Sequence, residues 1–164
     1  MKRILILSDT HGYMDDAILR HAAQHDEIWH AGDWGTMSVL TQLEEVRPVQ
    51  GVYGNIDGAD LRLAVPETNT FTCESVRVYM RHITGYPGRY KSNALKDIAA
   101  YKPNLVVCGH SHILKVMYDP SLQHLHINPG AIGIHGFHHV RTMISLEIDG
   151  SDMRNLKVIE FEKR

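Results

Sequence analysis

The feature that most constrains this chain is an alternation in its first fifty residues. Apolar runs too brief for helices, at 3–8, Glu27 to Trp29, and Pro48 to Gln50 or Val52, are separated by stretches with helical spacing. The first of these stretches, Asp15 to about Gln24, gathers Ala17, Ile18, Leu19, Ala22 and Ala23 on one side. The second runs from Met37 to Val46 and stops before Pro48. Two strand–helix–strand units in succession predict a parallel sheet. In such a sheet the carboxyl ends of the strands gather along one edge, where ligands bind.

The rest of the chain changes character. Asn69 to Cys73 and Val76 to Met80 form a hairpin pattern around Glu74-Ser75, and "TGYPGRY" is turn-rich. A helix is expected at Asn93 to Tyr101, stopped before Pro103, followed by a buried strand at Leu105 to Cys108. From Ile113 onward the pattern is mostly β, at 113–118, 123–127, 141–148 and 153–160. Thr142, Ile144, Leu146 and Ile148 alternate with Met143, Ser145, Glu147 and Asp149, as in a half-buried antiparallel strand. A length of 164 residues suits one domain, 1–164. The expected class is α/β (α+β), with two sheets and helices outside.

Charge and composition exclude several functions. Seventeen Lys and Arg against 19 Asp and Glu give a formal net charge of -2, so no long-range basic field collects nucleic acid. The first apolar run, Ile4 to Leu7, is too short for a signal-peptide core, and no stretch is long enough to span a bilayer. Cys73 and Cys108 each sit in or beside an apolar or β-like run and form no disulfide framework. A reducing, cytoplasmic setting is the expectation, and a homo-oligomer stays open.

The 12 histidines raise the prospect of a metal site, and position decides it. Ser8-Asp9-Thr10-His11 follows the first strand and His30-Ala31-Gly32-Asp33 the second. Gly54-Asn55-Ile56-Asp57 follows the third, Arg81-His82-Ile83 the hairpin, and Gly109-His110-Ser111-His112 the strand before the β-rich end. Asp9, His11, Asp33, Asn55, His82, His110 and His112 are therefore the candidate metal ligands. Seven O and N donors are too many for one closed tetrahedral ion and suit two ions with open positions for water. A carboxylate shared between two cations relieves their repulsion, and Asp33 is the candidate bridge. The i, i+2 spacing of Asp9/His11 and His110/His112 predicts extended segments that send alternate side chains to one side.

Other residues carry open readings. His30 either orients a ligand from behind or is a buried, satisfied histidine. His135, His138 and His139 either reach the rim or line a solvated loop. Arg81, Arg89 and Arg141 either clamp a substrate phosphate or form ion pairs. Trp29 and Trp34 either stack on a base or pack in the core.

In order, "DTH", "GD", "GNID", a single His, "GHSH" and then "NPGAIG" resemble the calcineurin-like metallophosphoesterases, most closely the small single-domain YfcE-type phosphodiesterase branch. The resemblance covers roughly residues 1–135. It implies a four-layer αββα sandwich of two mixed sheets flanked by helices. It implies that Asp9, His11, Asp33 and His112 hold one ion, and that Asp33, Asn55, His82 and His110 hold the other. Asn55 would also touch the phosphoryl group of a small phosphate-ester substrate. The implied enzyme is a phosphodiesterase in which a metal-bridging hydroxide attacks phosphorus in line. Manganese is the working ion, with iron, nickel or zinc as alternatives.

The chain departs from the family in two places. Ile56 stands where many relatives have a histidine proposed as general acid, which leaves Asp57 as the nearby candidate or as a loop-fixing residue. Ile83 stands where Gly is common. The competing readings are a non-catalytic interaction scaffold, a use to which a retromer subunit puts the same fold, and a metal-dependent nuclease.

Overall fold

The computed structural model describes residues 1–163. Its strands form two five-stranded mixed sheets. In chain order the first half holds β1 (Lys2–Leu7), α1 (Asp16–Ala23), β2 (Glu27–His30), α2 (Met37–Glu44), β3 (Val49–Gly51), α3 (Ala59–Ala64), β4 (Thr68–Cys73) and β5 (Val76–Arg81). The second half holds α4 (Ser92–Tyr101), β6 (Leu105–Val107), β7 (Leu114–Asp119), β8 (His124–Pro129), β9 (Val140–Asp149) and β10 (Asp152–Glu162). The first sheet runs β10-β9-β1-β2-β3, with β1, β2 and β3 mutually parallel and β9 and β10 antiparallel additions. The second runs β4-β5-β6-β8-β7, with β5, β6 and β8 parallel.

The pleat explains why β1 reads as an unbroken apolar run. Ile4 and Ile6 face the second sheet and pack with Val78, Met80, Leu105, Val107 and Ile127. Leu5 and Leu7 face the other way, into Ile18 and Ala22 of α1 and Val39, Leu40 and Leu43 of α2. On the far face of the second sheet, Tyr79 and Val106 pack with Ile98 of α4. A strand covered on both faces needs hydrophobes at every position. The result is the four-layer α/β/β/α arrangement. No helix among the described residues is long and apolar enough to cross a membrane.

The observed elements extend the sequence reading, most clearly at α3 and β10. The short helix α3 has no signature in the sequence pattern, because its six residues carry one buried side chain, Leu61, and so show no period. The strand β10 is longer than 153–160 and shifts register between Arg154 and Lys157. Asp15 starts α1 by accepting the Ile18 N–H at 2.8 Å.

Candidate metal centre

The loops after β1, β2, β3, β5 and β6 meet at one end of the sandwich. Backbone hydrogen bonds tie them together: Asp9 N–H donates to Gly32 O, His11 N–H to Asp33 O, and Gly109 N–H to His82 O. Two groups of side chains converge there. Asp9, His11 and His112 form one, and Asp33, His82 and His110 the other. Asn55 joins the second group, with its Oδ1 3.1 Å from His110 Nδ1.

The loops do this with backbone that the spacing did not foretell. Asp9 (φ 56°), His11 (45°), Asp33 (59°), His110 (74°) and His112 (62°) all lie in the left-handed region. The expected extended segments are therefore wrong. Left-handed backbone folds each loop back on itself at the ligand position, costing about 1–3 kcal/mol per non-glycine residue. Asp and His are among the residues that tolerate it.

Each carboxylate is divided between scaffold and cleft. Asp9 Oδ2 accepts from Ser8 Oγ at 2.6 Å and from the His110 N–H at 3.1 Å. Asp9 Oδ1 is buried with no hydrogen-bond partner, 3.2 Å from His112 Nε2 and 3.7 Å from His11 Nε2. Asp33 Oδ1 accepts from the Ile56 N–H at 3.1 Å, while Oδ2 lies 3.2 Å from His82 Nε2 and 3.5 Å from His11 Nε2. Asp33 Oδ2 thus stands between the two groups. His82 Nδ1 faces the Ala31 carbonyl at 2.7 Å, which fixes the proton there and turns the Nε2 lone pair into the cleft. His11 Nε2 and His82 Nε2 are buried and unpartnered, like Asp9 Oδ1. Buried polar atoms without partners are rare, and three that converge have the donor chemistry to hold a cation. O and N donors of this kind fit first-row divalent metals.

The titration behaviour follows. Burial raises the Asp9 carboxyl, but hydrogen bonding to His11 and His112 and the charge of His82 outweigh it, leaving Asp9 far below the usual carboxylate range. Hydrogen bonding to Asp9 raises His11 despite partial burial. Burial lowers His82, but contact with Asp33 and the charge of Asp9 outweigh it and leave a net increase. Protons and cations compete for these same lone pairs.

Two glycines are required by close approach. A Cβ on Gly109 would stand 2.1 Å from Ser8 Oγ and 2.7 Å from Asp9 Oδ2. One on Gly54 would stand 2.0 Å from Asp33 Oδ1. Asp57 fixes the loops from below. It is buried, its Oδ2 accepts from the Asp33 N–H at 3.0 Å and the Gly54 N–H at 2.7 Å, and its Oδ1 accepts from the Gly35 N–H at 3.0 Å. That is the loop-fixing role, with no free oxygen directed at a leaving group.

His30 is the residue whose value the sequence left undecided. It is fully buried and stacks on Trp34 at 3.7 Å. Its Nδ1 accepts the Gly32 N–H, which places the proton on Nε2, facing Thr10 Oγ1 at 3.1 Å. Burial lowers its pKa to about 3. A neutral imidazole thus couples the Asp9–His11 loop to the Asp33 loop. Asn128 plays a similar part for the last loop, donating to Gly109 O and Ser111 Oγ at 3.0 Å each. His135 stacks on His11 at 4.8 Å, which places it at the rim, and His138 lies edge-on to His112. Arg81 is ion-paired with Glu67 and Asp97, and Arg141 with Asp15. Trp29 and Trp34 are core residues.

With this geometry in place, likeness to known proteins decides the family. The model of the calcineurin-like phosphoesterase superfamily domain matches residues 1–151. The chain belongs to that superfamily. A probable metallophosphoesterase of Methanothermobacter thermautotrophicus is 28% identical over 156 residues, 90% of this chain and 87% of that protein. A Thermotoga maritima protein solved by solution NMR is 27% identical, with a TM-score of 0.74 over 97% of this chain and 100% of that one. A Vps29 mutant from Entamoeba histolytica shares the fold with a TM-score of 0.75 at 14% identity, covering 98% of this chain and 99% of that one.

Proposed function

We propose that the chain is a dinuclear-metal phosphoesterase, acting on phosphodiesters and folded as one domain over 1–164. The observation that carries this reading is the pair of convergent ligand groups with Asp33 Oδ2 between them. Asp9, His11, Asp33 and His112 would hold one ion, and Asp33, Asn55, His82 and His110 would hold the other. Two divalent ions, manganese as the working choice, would supply charge neutralisation at phosphorus and acidify bound water.

The chain's own residues do the positioning. Asp33, whose Oδ1 is fixed by the Ile56 N–H, would serve both ions. Asn55 is exposed at the mouth of the cleft beside His110, where its amide meets a phosphoryl oxygen. Ile56 has no proton to donate, and Asp57 is committed to three N–H groups. Leaving-group protonation therefore does not come from this loop. The two buried, unbridged cysteines support a reducing, cytoplasmic setting.

A scaffold role shares the fold, but a likeness at 14% identity does not favour it. The test is hydrolysis of bis(p-nitrophenyl) phosphate with added Mn²⁺. The wild-type chain turns it over, and Asp33→Asn abolishes turnover with the circular dichroism spectrum unchanged. Undiminished activity in that variant would remove the bridging role.

A further inference from the structure

Two cavities open from the metal centre, and Asn55 lines both. One, of about 550 Å³, lies over both ligand groups and is edged by the exposed side chains of Ile56, Ile113 and Phe137. The other, of about 530 Å³, runs from Asn55 and His82 past Arg62 and Arg81 to Lys91. The second cavity differs in charge. Arg81 is neutralised there by Glu67 at 2.8 Å and by Asp97 at 3.4 Å. Glu67 also accepts the Tyr53 hydroxyl, so its oxygens are engaged. Arg62 and Lys91 have no carboxylate partner among the described residues.

Arg62 is also held in place. Its Nε–H donates to Asp57 O at 2.7 Å, it reaches Asn55 O at 3.4 Å, and its guanidinium lies 4.6 Å from the centre of the Tyr53 ring. A fixed guanidinium without a counter-charge is preorganised for a phosphate. Here it sits beside the residue that meets the scissile phosphoryl group. Ser92 and Asn93 place neutral polar groups on the same wall.

We infer that this cavity is an anion subsite, and that the substrate is a phosphodiester one arm of which carries a second phosphoryl group, bound by Arg62 and Lys91. The other arm lies against the apolar edge at Ile56, Ile113 and Phe137. The substrate assignment rests on the phosphodiesterase reading; the anion subsite does not need it.

Two measurements separate them. Calorimetric titration of the EDTA-treated chain with inorganic pyrophosphate reads the subsite without metal or turnover. Saturable binding is expected, weakened about tenfold by Lys91→Gln and by Arg62→Gln, and partly restored in Arg62→Lys. No saturable binding, or equal affinity in wild type and both Gln variants, overturns the subsite. The Mn²⁺-loaded chain is then given bis(p-nitrophenyl) phosphate and its analogue with one arm replaced by phosphoryloxyethyl. The analogue is expected to be preferred about tenfold in kcat/KM. Lys91→Gln should remove the preference through KM and leave bis(p-nitrophenyl) phosphate within about twofold. Equal losses on both substrates overturn the assignment. If neither diester is turned over, the phosphodiesterase reading and the substrate assignment fall together, and the pyrophosphate titration still decides the subsite.

Discussion

Replacing Asp57 with alanine tests how the metal centre is built. The carboxylate accepts from the N–H groups of Asp33 and Gly54 in buried surroundings and from that of Gly35 nearer the surface. A hydrogen bond to a charged acceptor contributes about 1.5–3 kcal/mol, and a buried donor left without a partner costs about 1–3 kcal/mol. Counting the two buried donors fully and the third in part, Asp57→Ala should cost about 3–5 kcal/mol of folding stability. The loss has a second consequence. Asp33 is held at a φ of 59°, and its own N–H is one of the three bonds removed. Without that bond the backbone relaxes and the carboxylate leaves the midpoint between the two histidine groups, so metal affinity falls with stability. Asp57→Asn should be intermediate, because one oxygen remains and an amide faces the other N–H. Urea unfolding of EDTA-treated protein gives the stability, and Mn²⁺ titration gives the affinity. A loss below about 1 kcal/mol with unchanged Mn²⁺ binding would refute the idea that Asp57 organises the loops.

Further outcomes follow from other parts of the structure. Gly109→Ala forces a Cβ to within 2.7 Å of Asp9 Oδ2, so it should cost about 1–3 kcal/mol and weaken Mn²⁺ binding. Gly58→Ala, with its nearest atom 3.7 Å from the new Cβ, should stay within about 0.5 kcal/mol of wild type in the same urea assay. Acid should destabilise the chain through His30 and His126, whose burial lowers them from 6.5 to about 3 and about 4. Their contribution is complete above 6.5 and is lost as pH falls, because the unfolded chain then takes up protons that the folded chain refuses. Each such histidine contributes a slope of about 1.4 kcal/mol per pH unit. His126→Gln should flatten the measured dependence by that amount between pH 6.5 and about 4, and an unchanged slope contradicts the assignment.

What was legible in the sequence was the sheet edge. Short apolar runs ending in Asp, His and Asn placed the candidate ligands at strand ends, because pleat and crossover rules leave little freedom there. What was not legible was the backbone at those residues. A positive φ announces itself only when the residue is glycine, and Asp9, His11, Asp33, His110 and His112 carry side chains that hide it. Gly109, by contrast, is required by close approach and is not among the glycines with positive φ. The work of His30 and Asp57 depends on which N–H groups lie opposite them. The Asp33 and Gly35 N–H groups that Asp57 accepts belong to another loop, as does the Thr10 hydroxyl that faces His30 Nε2, so no local pattern could reveal those pairings. The helix α3 was missed for want of length.

The proposed centre holds two ions, divided by Asp33. The most direct measurement is an anomalous-difference map from crystals of the Mn²⁺-soaked protein. Two peaks about 3.5–4 Å apart are expected. One should lie among Asp9, His11 and His112, the other among Asn55, His82 and His110, with Asp33 between them. A single peak, or none within reach of these side chains, would contradict it.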